Sequence, residues 1–259
     1  VLGFVLISGL YLVLWTAGSW WWLWATAGWL GVTIVLGQLL PIVILPLFYK
    51  VTRLEDASLL ERFRKLSEGT TLNIEGVYEL HLSEETKKAN AALAGLGRTR
   101  RVLLGDTLLQ QFTPEEIEIV FAHEVGHHVY HHLPKAIAMG VILTLFGFAL
   151  TDLMLNAFVG MLGYRGFDDP AALPLLLFFL GVFALVWAPL QNAVSRFYER
   201  QCDRYALKRT RNPAAYRSAF TKLVRLNKSD PDPHPLISFL FHDHPPIRER
   251  LALADTVLV

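Results

Sequence analysis

Ala122-His123-Glu124-Val125-Gly126-His127-His128 sets two imidazoles four residues apart, with a carboxylate directly after the first. On an α-helix, positions i and i+4 share a face. His123 and His127 can therefore each aim a ring nitrogen at one Zn²⁺, at about 2.0–2.1 Å. Glu124 then stands beside the metal without ligating it, where a carboxylate can take a proton from water whose pKa the metal has lowered to about 7. The competing reading is a helix with two histidines on a polar face that bind nothing. The residues upstream weigh against that reading. Thr113 suits an N-cap, Pro114 the first helical position and Glu116 the return leg of a capping box, so a helix starts shortly before the motif. Ile117, Val120, Phe121 and Val125 then give that helix a packing face.

Outward from this helix the chain is apolar. A length of 259 residues allows one or two domains, but 53% hydrophobic residues and a mean hydropathy of +0.37 are those of a membrane protein. The net charge of +1 gives no reason to expect nucleic acid as a partner. Cys202 is the single cysteine, which excludes an intrachain disulfide and a thiol-rich zinc site. The chain opens at Val1 inside an apolar run, with no basic region ahead of it. This reads as a shortened membrane span rather than a signal peptide.

Four segments follow from these changes of composition. Residues 1–49 hold two spans, Val1 to Ala17 and Gly28 to Tyr49, each near the roughly 20 residues that cross a bilayer. Trp20, Trp21, Trp22, Trp24 and Trp29 between them suit the headgroup level, and Pro41 and Pro46 predict kinks. Residues 50–135 form a soluble catalytic segment. In it Leu59, Leu60, Phe63 and Leu66 mark an amphipathic helix ending at Gly69, and Val77 to Leu82, Ala91 to Leu96 and Arg101 to Leu104 are short strands.

Residues 136–195 hold two more spans, Ala136 to Leu162 and Leu173 to Ala193. Asp152 inside the first is a functional candidate by its position, though it equally suits a membrane surface or the lining of a water-filled cavity. Residues 196–259 are soluble again, with helices starting at Asn212-Pro213 and after Pro245-Pro246. The expected fold is mostly α, a multi-span helical membrane protein with a small α+β zinc-metalloprotease insertion. Lys50, Arg53, Lys135, Arg196 and Arg200 flank the spans on the side of the soluble segments, which predicts a cytosolic catalytic side.

A catalytic zinc needs a third protein ligand. Glu199 is the best candidate, where the last span gives way to charge, and Asp203 four residues on shares its face and can accept a hydrogen bond from a ligating imidazole. A solvated helix with ion pairs from Glu199 and Asp203 to Arg196, Arg200 and Arg204 accounts for the spacing about as well.

The run from Asn90 to Leu109, the His123-Glu124-x-x-His127 motif, Arg196-x-x-Glu199-x-x-x-Asp203 and His244-Pro245-Pro246-x-x-x-Arg250 occur in that order. Together, from about Leu54 to Leu251, they resemble the type I CAAX prenyl endopeptidases, integral-membrane zinc metalloproteases related to the HtpX heat-shock proteases. The resemblance implies one Zn²⁺ per chain on His123, His127 and Glu199, with Glu124 as general base and Asp203 orienting a ligand. It also brings His244 to the site as an aid to the oxyanion. Asn90, Ala91 and Ala92 become a substrate-binding strand edge, to which an extended peptide adds by main-chain hydrogen bonds. The implied partners are the lipid bilayer and a peptide or membrane-protein substrate, prenylated in the CAAX case.

Three features depart from the family pattern. Lys87-Lys88-Ala89 replaces a more polar stretch, Cys202 stands where alanine is usual, and four spans are visible against seven in the eukaryotic enzymes. Two other functions remain open at this level: an HtpX-like quality-control protease without prenyl preference, and a non-catalytic scaffold with a structural zinc. An intact Glu124 argues against the scaffold, which needs no base. His128, His131 and His132 extend the motif helix toward Lys135 as helix-end residues, and His81, His234 and His242 read as structural or exposed.

Overall fold

A computed structural model describes residues 2–72, 74–95 and 100–256. The chain packs as two units, one of residues 1–36 and 134–189, the other of residues 37–133 and 190–259.

The first unit is helical. It contains α1 (Leu2–Ala17), most of α2 (Trp21–Leu39), α7 (His132–Phe158) and the first half of α8 (Leu173–Thr210). Among the described residues three helical runs are long and apolar enough to cross a membrane: Gly3–Phe48, His132–Phe158 and Pro170–Thr210. The first run, of 46 residues, is long enough for the two spans expected there, and it breaks between α1 and α2 at Gly18, whose φ of +54° suits a residue without a Cβ. The helix also leaves α geometry at Pro41, where Leu40–Ile44 forms a π-turn ahead of α3 (Leu45–Phe48).

The core of this unit is Tyr11, Leu14, Trp21, Ala25, Leu155, Val159, Ala172 and Leu176. The tryptophans divide. Trp20, Trp24 and Trp29 are exposed, but Trp21 is fully buried and its Nε1 donates to Asp152 Oδ1 at 2.6 Å. Asp152 is partly buried and serves as the partner of an indole, with Asn156 Nδ2 as its second donor at 3.1 Å.

The second unit surrounds a four-stranded sheet of order β1-β2-β4-β3, made of β1 (Val51–Arg53), β2 (Gly76–Leu80), β3 (Ala91–Ala94) and β4 (Arg101–Gly105). Only β2 and β4 run parallel; β3 pairs antiparallel with β4 and forms one edge. β1 was not anticipated, since three residues are too few to show alternation. The anticipated strand at Ala91 ends at Ala94, and Leu96 lies outside the described residues.

Three helices form as their caps dictate. In α4 (Ala57–Ser67) Asp56 accepts from Leu59 N–H, and in α9 (Pro213–Asn227) Asn212 accepts from Ala215 N–H. α6 (Pro114–Val129) carries the complete Thr113/Glu116 capping box. α11 (Ile247–Thr256) follows the double proline as expected, whereas α5 (Asp106–Gln111) and α10 (Pro235–Phe241) are additions. The core joins α4, the sheet, α6 and α9, with Phe63 stacked on Phe121 at 4.1 Å.

α6 ends earlier than its histidines suggested. Val129 is its last residue, and His131 at φ +55° turns the chain before α7 begins at His132.

Candidate metal centre

His123 and His127 project from the same face of α6, and their Nε2 atoms are 3.3 Å apart. His123 Nε2 lies 3.2 Å from Glu199 Oε2, and His127 Nε2 lies 3.2 Å from Glu199 Oε1. Two ligands at 2.0–2.1 Å from a tetrahedral Zn²⁺ are about 3.3–3.4 Å apart, so these donors already have the spacing of one face of such a site. Glu199 Oε2 is buried without a hydrogen-bond partner among the described residues, which suits an oxygen that awaits a cation. The donor set fits a divalent metal.

Glycine makes the approach possible. Glu199 belongs to α8, and a Cβ on Gly126 of α6 would stand 3.0 Å from the Cys202 backbone. The two helices therefore meet at the glycine inside the motif, one turn from the ligands. His123, His127 and Cys202 also offer donor atoms within 4.8 Å of one another. Yet the Cys202 sulfur lies 3.5 Å from His132 Nδ1, and that nitrogen meets Nδ1 of His127. The thiol thus sits behind the His127 ring, away from the face that the Glu199 carboxylate shares with the two Nε2 atoms.

Each imidazole is held from the rear. Asp203 Oδ1 is 2.9 Å from His123 Nδ1, and Arg250 grips Asp203 with Nε at 2.9 Å and Nη2 at 2.5 Å. Asp203 and Arg250 are buried, so each charge is neutralised by the other. Neither Glu199 nor Asp203 pairs with Arg196, Arg200 or Arg204 through a salt bridge, and the solvated-helix reading falls on this geometry.

His127 has a neutral support instead. His132 Nδ1 lies 3.1 Å from His127 Nδ1, while its Nε2 lies 3.0 Å from Gln201 Oε1. The amide oxygen only accepts, so His132 carries its proton on Nε2, and Nδ1 accepts from His127. That leaves the His127 Nε2 lone pair directed at the ligand face. His132 is clamped by stacking on Tyr198 at 4.1 Å. Its part here was not legible in sequence, because only the turn at His131 brings it back against the motif.

Burial works against charge on His123, but Asp203 and Glu199 outweigh it and raise its pKa to about 9. The negative field that favours a proton there favours a cation equally. Burial also pushes the half-buried Glu124 carboxyl above the usual range, opposed by His123 and His127 and by the Leu93 N–H, which bonds to it.

These groups open into a cavity of about 460 Å³ lined by His123, Glu124, Glu199, His244, Asn90 and Ala91 among others. His244 is 57% exposed at its rim, with Nε2 at 3.5 Å from Glu199 Oε2 and Nδ1 at 2.8 Å from Asp243. Gly105 N–H donates to the Asn90 carbonyl, which sets the phase of the β3–β4 ladder. By antiparallel alternation Ala92 turns its peptide groups to β4, whereas Ala91 and Leu93 turn theirs to the open edge. Of the three edge residues expected from sequence, Asn90 and Ala91 border the cavity and Ala92 does not.

The model of peptidase family M48 matches residues 53–257. The chain is 32% identical to the uncharacterized metalloprotease YhfN of Bacillus subtilis, over 91% of this chain and 56% of that protein. It is 32% identical to the CAAX prenyl protease 1 homolog of Arabidopsis thaliana, over 86% and 53%, and 29% identical to CAAX prenyl protease 1 of Saccharomyces cerevisiae, over 87% and 54%. The chain thus spans little more than half the length of these relatives. The crystal structure of S. mikatae Ste24p superposes with a TM-score of 0.83 at 25% identity, covering 98% of this chain and 63% of that one.

Proposed function

Because the chain belongs to peptidase family M48, we propose that it is a membrane-embedded zinc metalloendopeptidase that hydrolyses peptide bonds with activated water. The observation that carries this reading is the face formed by His123 Nε2, His127 Nε2 and the Glu199 carboxylate, with Glu124 beside it on an open cavity. Zn²⁺, when bound there, supplies a Lewis acid for the scissile carbonyl and lowers the pKa of water toward about 7.

The chain's own groups do the rest. Glu124 takes a proton from the attacking water and returns it to the leaving amine; a carboxyl raised by burial is suited to both steps. His244, on the rim, donates to the oxygen of the carbonyl under attack. An extended peptide lies along β3 and bonds to the outward N–H and C=O of Ala91. Asp203 with Arg250, and His132 with Gln201, keep the two ligating rings in one tautomer and orientation.

The chain is an integral membrane protein. The catalytic parts face the cytosol in this reading, supported by the basic residues at the span ends. A prenylated CAAX-type peptide is the proposed substrate, supported by the names of the plant and yeast relatives. The purified protein in lipid vesicles should cleave a prenylated CAAX peptide faster than the same peptide without its lipid. Equal rates would leave a general membrane protease. No cleavage of either, with metal bound, would remove the enzymatic reading.

A further inference from the structure

Helix α10 has the polarity of a water-exposed helix turned inside out. Its buried residue is Ser238, while Leu236, Ile237, Phe239 and Phe241 are 57%, 48%, 51% and 67% exposed. Among the described residues of 50–133 and 196–256, the other exposed large hydrophobics are Leu60, Leu133 and Phe197. Four of seven are thus concentrated on one helix of 7 residues. No Asp, Glu, Lys or Arg occurs between Asp232 and Asp243 to solvate it. A patch of this kind marks a surface that something covers.

Its attachment points identify the cover. Asn192 Nδ2 donates to the Leu240 carbonyl at 2.8 Å, and Arg196 Nη1 donates to the Ser238 carbonyl at 2.9 Å and to the His242 carbonyl. Both donors belong to α8. The stretch Leu173 to Leu190 of α8 has no charged residue and rises about 27 Å at 1.5 Å per residue, close to the roughly 30 Å hydrocarbon core. Asn192 and Arg196 stand about 3 and 9 Å of helix rise beyond it, within or just past a headgroup layer about 5–8 Å thick. The first charge of α8, Arg196, is itself buried and spends its donors on carbonyls of this helix.

We propose that α10 is an interfacial membrane helix, with Leu236, Ile237, Phe239 and Phe241 set into the headgroup–acyl boundary of the bilayer. The segment that composition marks as soluble returns to the membrane at this helix. Because Phe241 and His242 also line the metal-centre cavity, the bilayer surface then forms part of the cavity rim.

Single Ile237→Cys and Phe239→Cys variants of the whole chain, labelled with a nitrobenzoxadiazole fluorophore in phosphatidylcholine–phosphatidylglycerol vesicles, test this. Cys202 is fully buried, and the labelled wild type sets the background. Glu61→Cys on α4 is the water-exposed control. Emission at 237 and 239 should be blue-shifted, strongly quenched by lipids with a shallow nitroxide, and severalfold less quenched than position 61 by iodide on both sides. Iodide quenching equal to that at 61 would overturn the proposal. So would protection from iodide and nitroxide lipid alike, the signature of a protein cover such as a second copy. Leu236→Cys gives an independent reading should the label at 239 disturb the fold.

Discussion

Each of the two units holds an aspartate among its helices, partly buried in one and fully buried in the other, and the two do it by different means. In the helical unit Asp152 meets the indole of Trp21 and the amide of Asn156, both neutral donors, and no cation approaches it through a salt bridge. In the sheet-bearing unit Asp203 receives both arms of Arg250 and the His123 ring, fully out of solvent. A carboxylate held by neutral donors ties helices together and little more. One matched to a guanidinium keeps its charge in the interior and can pass that field on to a ligand. The Arg250 and His123 that hold Asp203 line the metal-centre cavity. The comparison predicts chemistry for the acids around the metal centre and packing for Asp152.

The largest expected effect tests that division directly. Glu124→Gln should lower peptide hydrolysis by about 10²–10⁴-fold, the usual contribution of a general base, while zinc content and Tm stay near wild type. Asp152→Asn, which keeps an acceptor for Trp21, should leave turnover unchanged. An active Glu124→Gln enzyme, or a dead Asp152→Asn one with normal Tm, would break the comparison.

Next comes the cost of stranding a charge. Asp203→Ala leaves the buried Arg250 with only the longer contact to Glu199 at 3.8 Å, and urea unfolding should show a loss of about 3–5 kcal/mol. The double variant with Arg250→Met should recover much of that stability but not the metal affinity, since His123 has still lost its support. Recovery of both would mean that Asp203 does nothing for the ligand.

A smaller effect belongs to Glu116, buried two turns before His123 on α6. Burial raises its pKa, but Lys222 at 2.6 Å, Ser218 at 2.5 Å and the Thr113 N–H outweigh this and hold it below the ordinary value. A depressed folded pKa stabilises above the unfolded value and is lost as pH falls through the folded one. Wild type should therefore lose stability in acid through this group, and Glu116→Gln should be less stable at neutral pH by about 1–3 kcal/mol with a flatter acid profile. Parallel pH profiles for the two would refute the assignment.

The smallest effect lies in the helical unit. A double-mutant cycle of Trp21→Phe with Asp152→Ala separates the bond to Asp152 from the loss of buried indole. Hydrogen bonds between membrane helices average about 0.6 kcal/mol and reach about 1.7. A coupling far above that range would show that Asp152 needs its partner as much as Asp203 does.

Local chemistry was legible in the residues themselves. The capping box announced α6, the i and i+4 spacing set both imidazoles on one face, Pro41 broke its helix, and apolar length marked the membrane runs. These depend on neighbours within a turn or two, so composition and spacing suffice. What depended on chain returning from far away was not legible. Glu199 was distinguished from a solvated glutamate only when Gly126 let α8 close on α6. Arg250 found Asp203 across 47 residues, and His132 became a support for His127 because one left-handed residue turned the chain. The phase that turns Ala91 outward and Ala92 inward, and the apolar outer face of α10, were likewise decided by pairing and burial. Sequence records which groups a segment can offer. Which of them end up facing one another is decided by packing, because a buried charge or an open strand edge is defined only by what lies across from it.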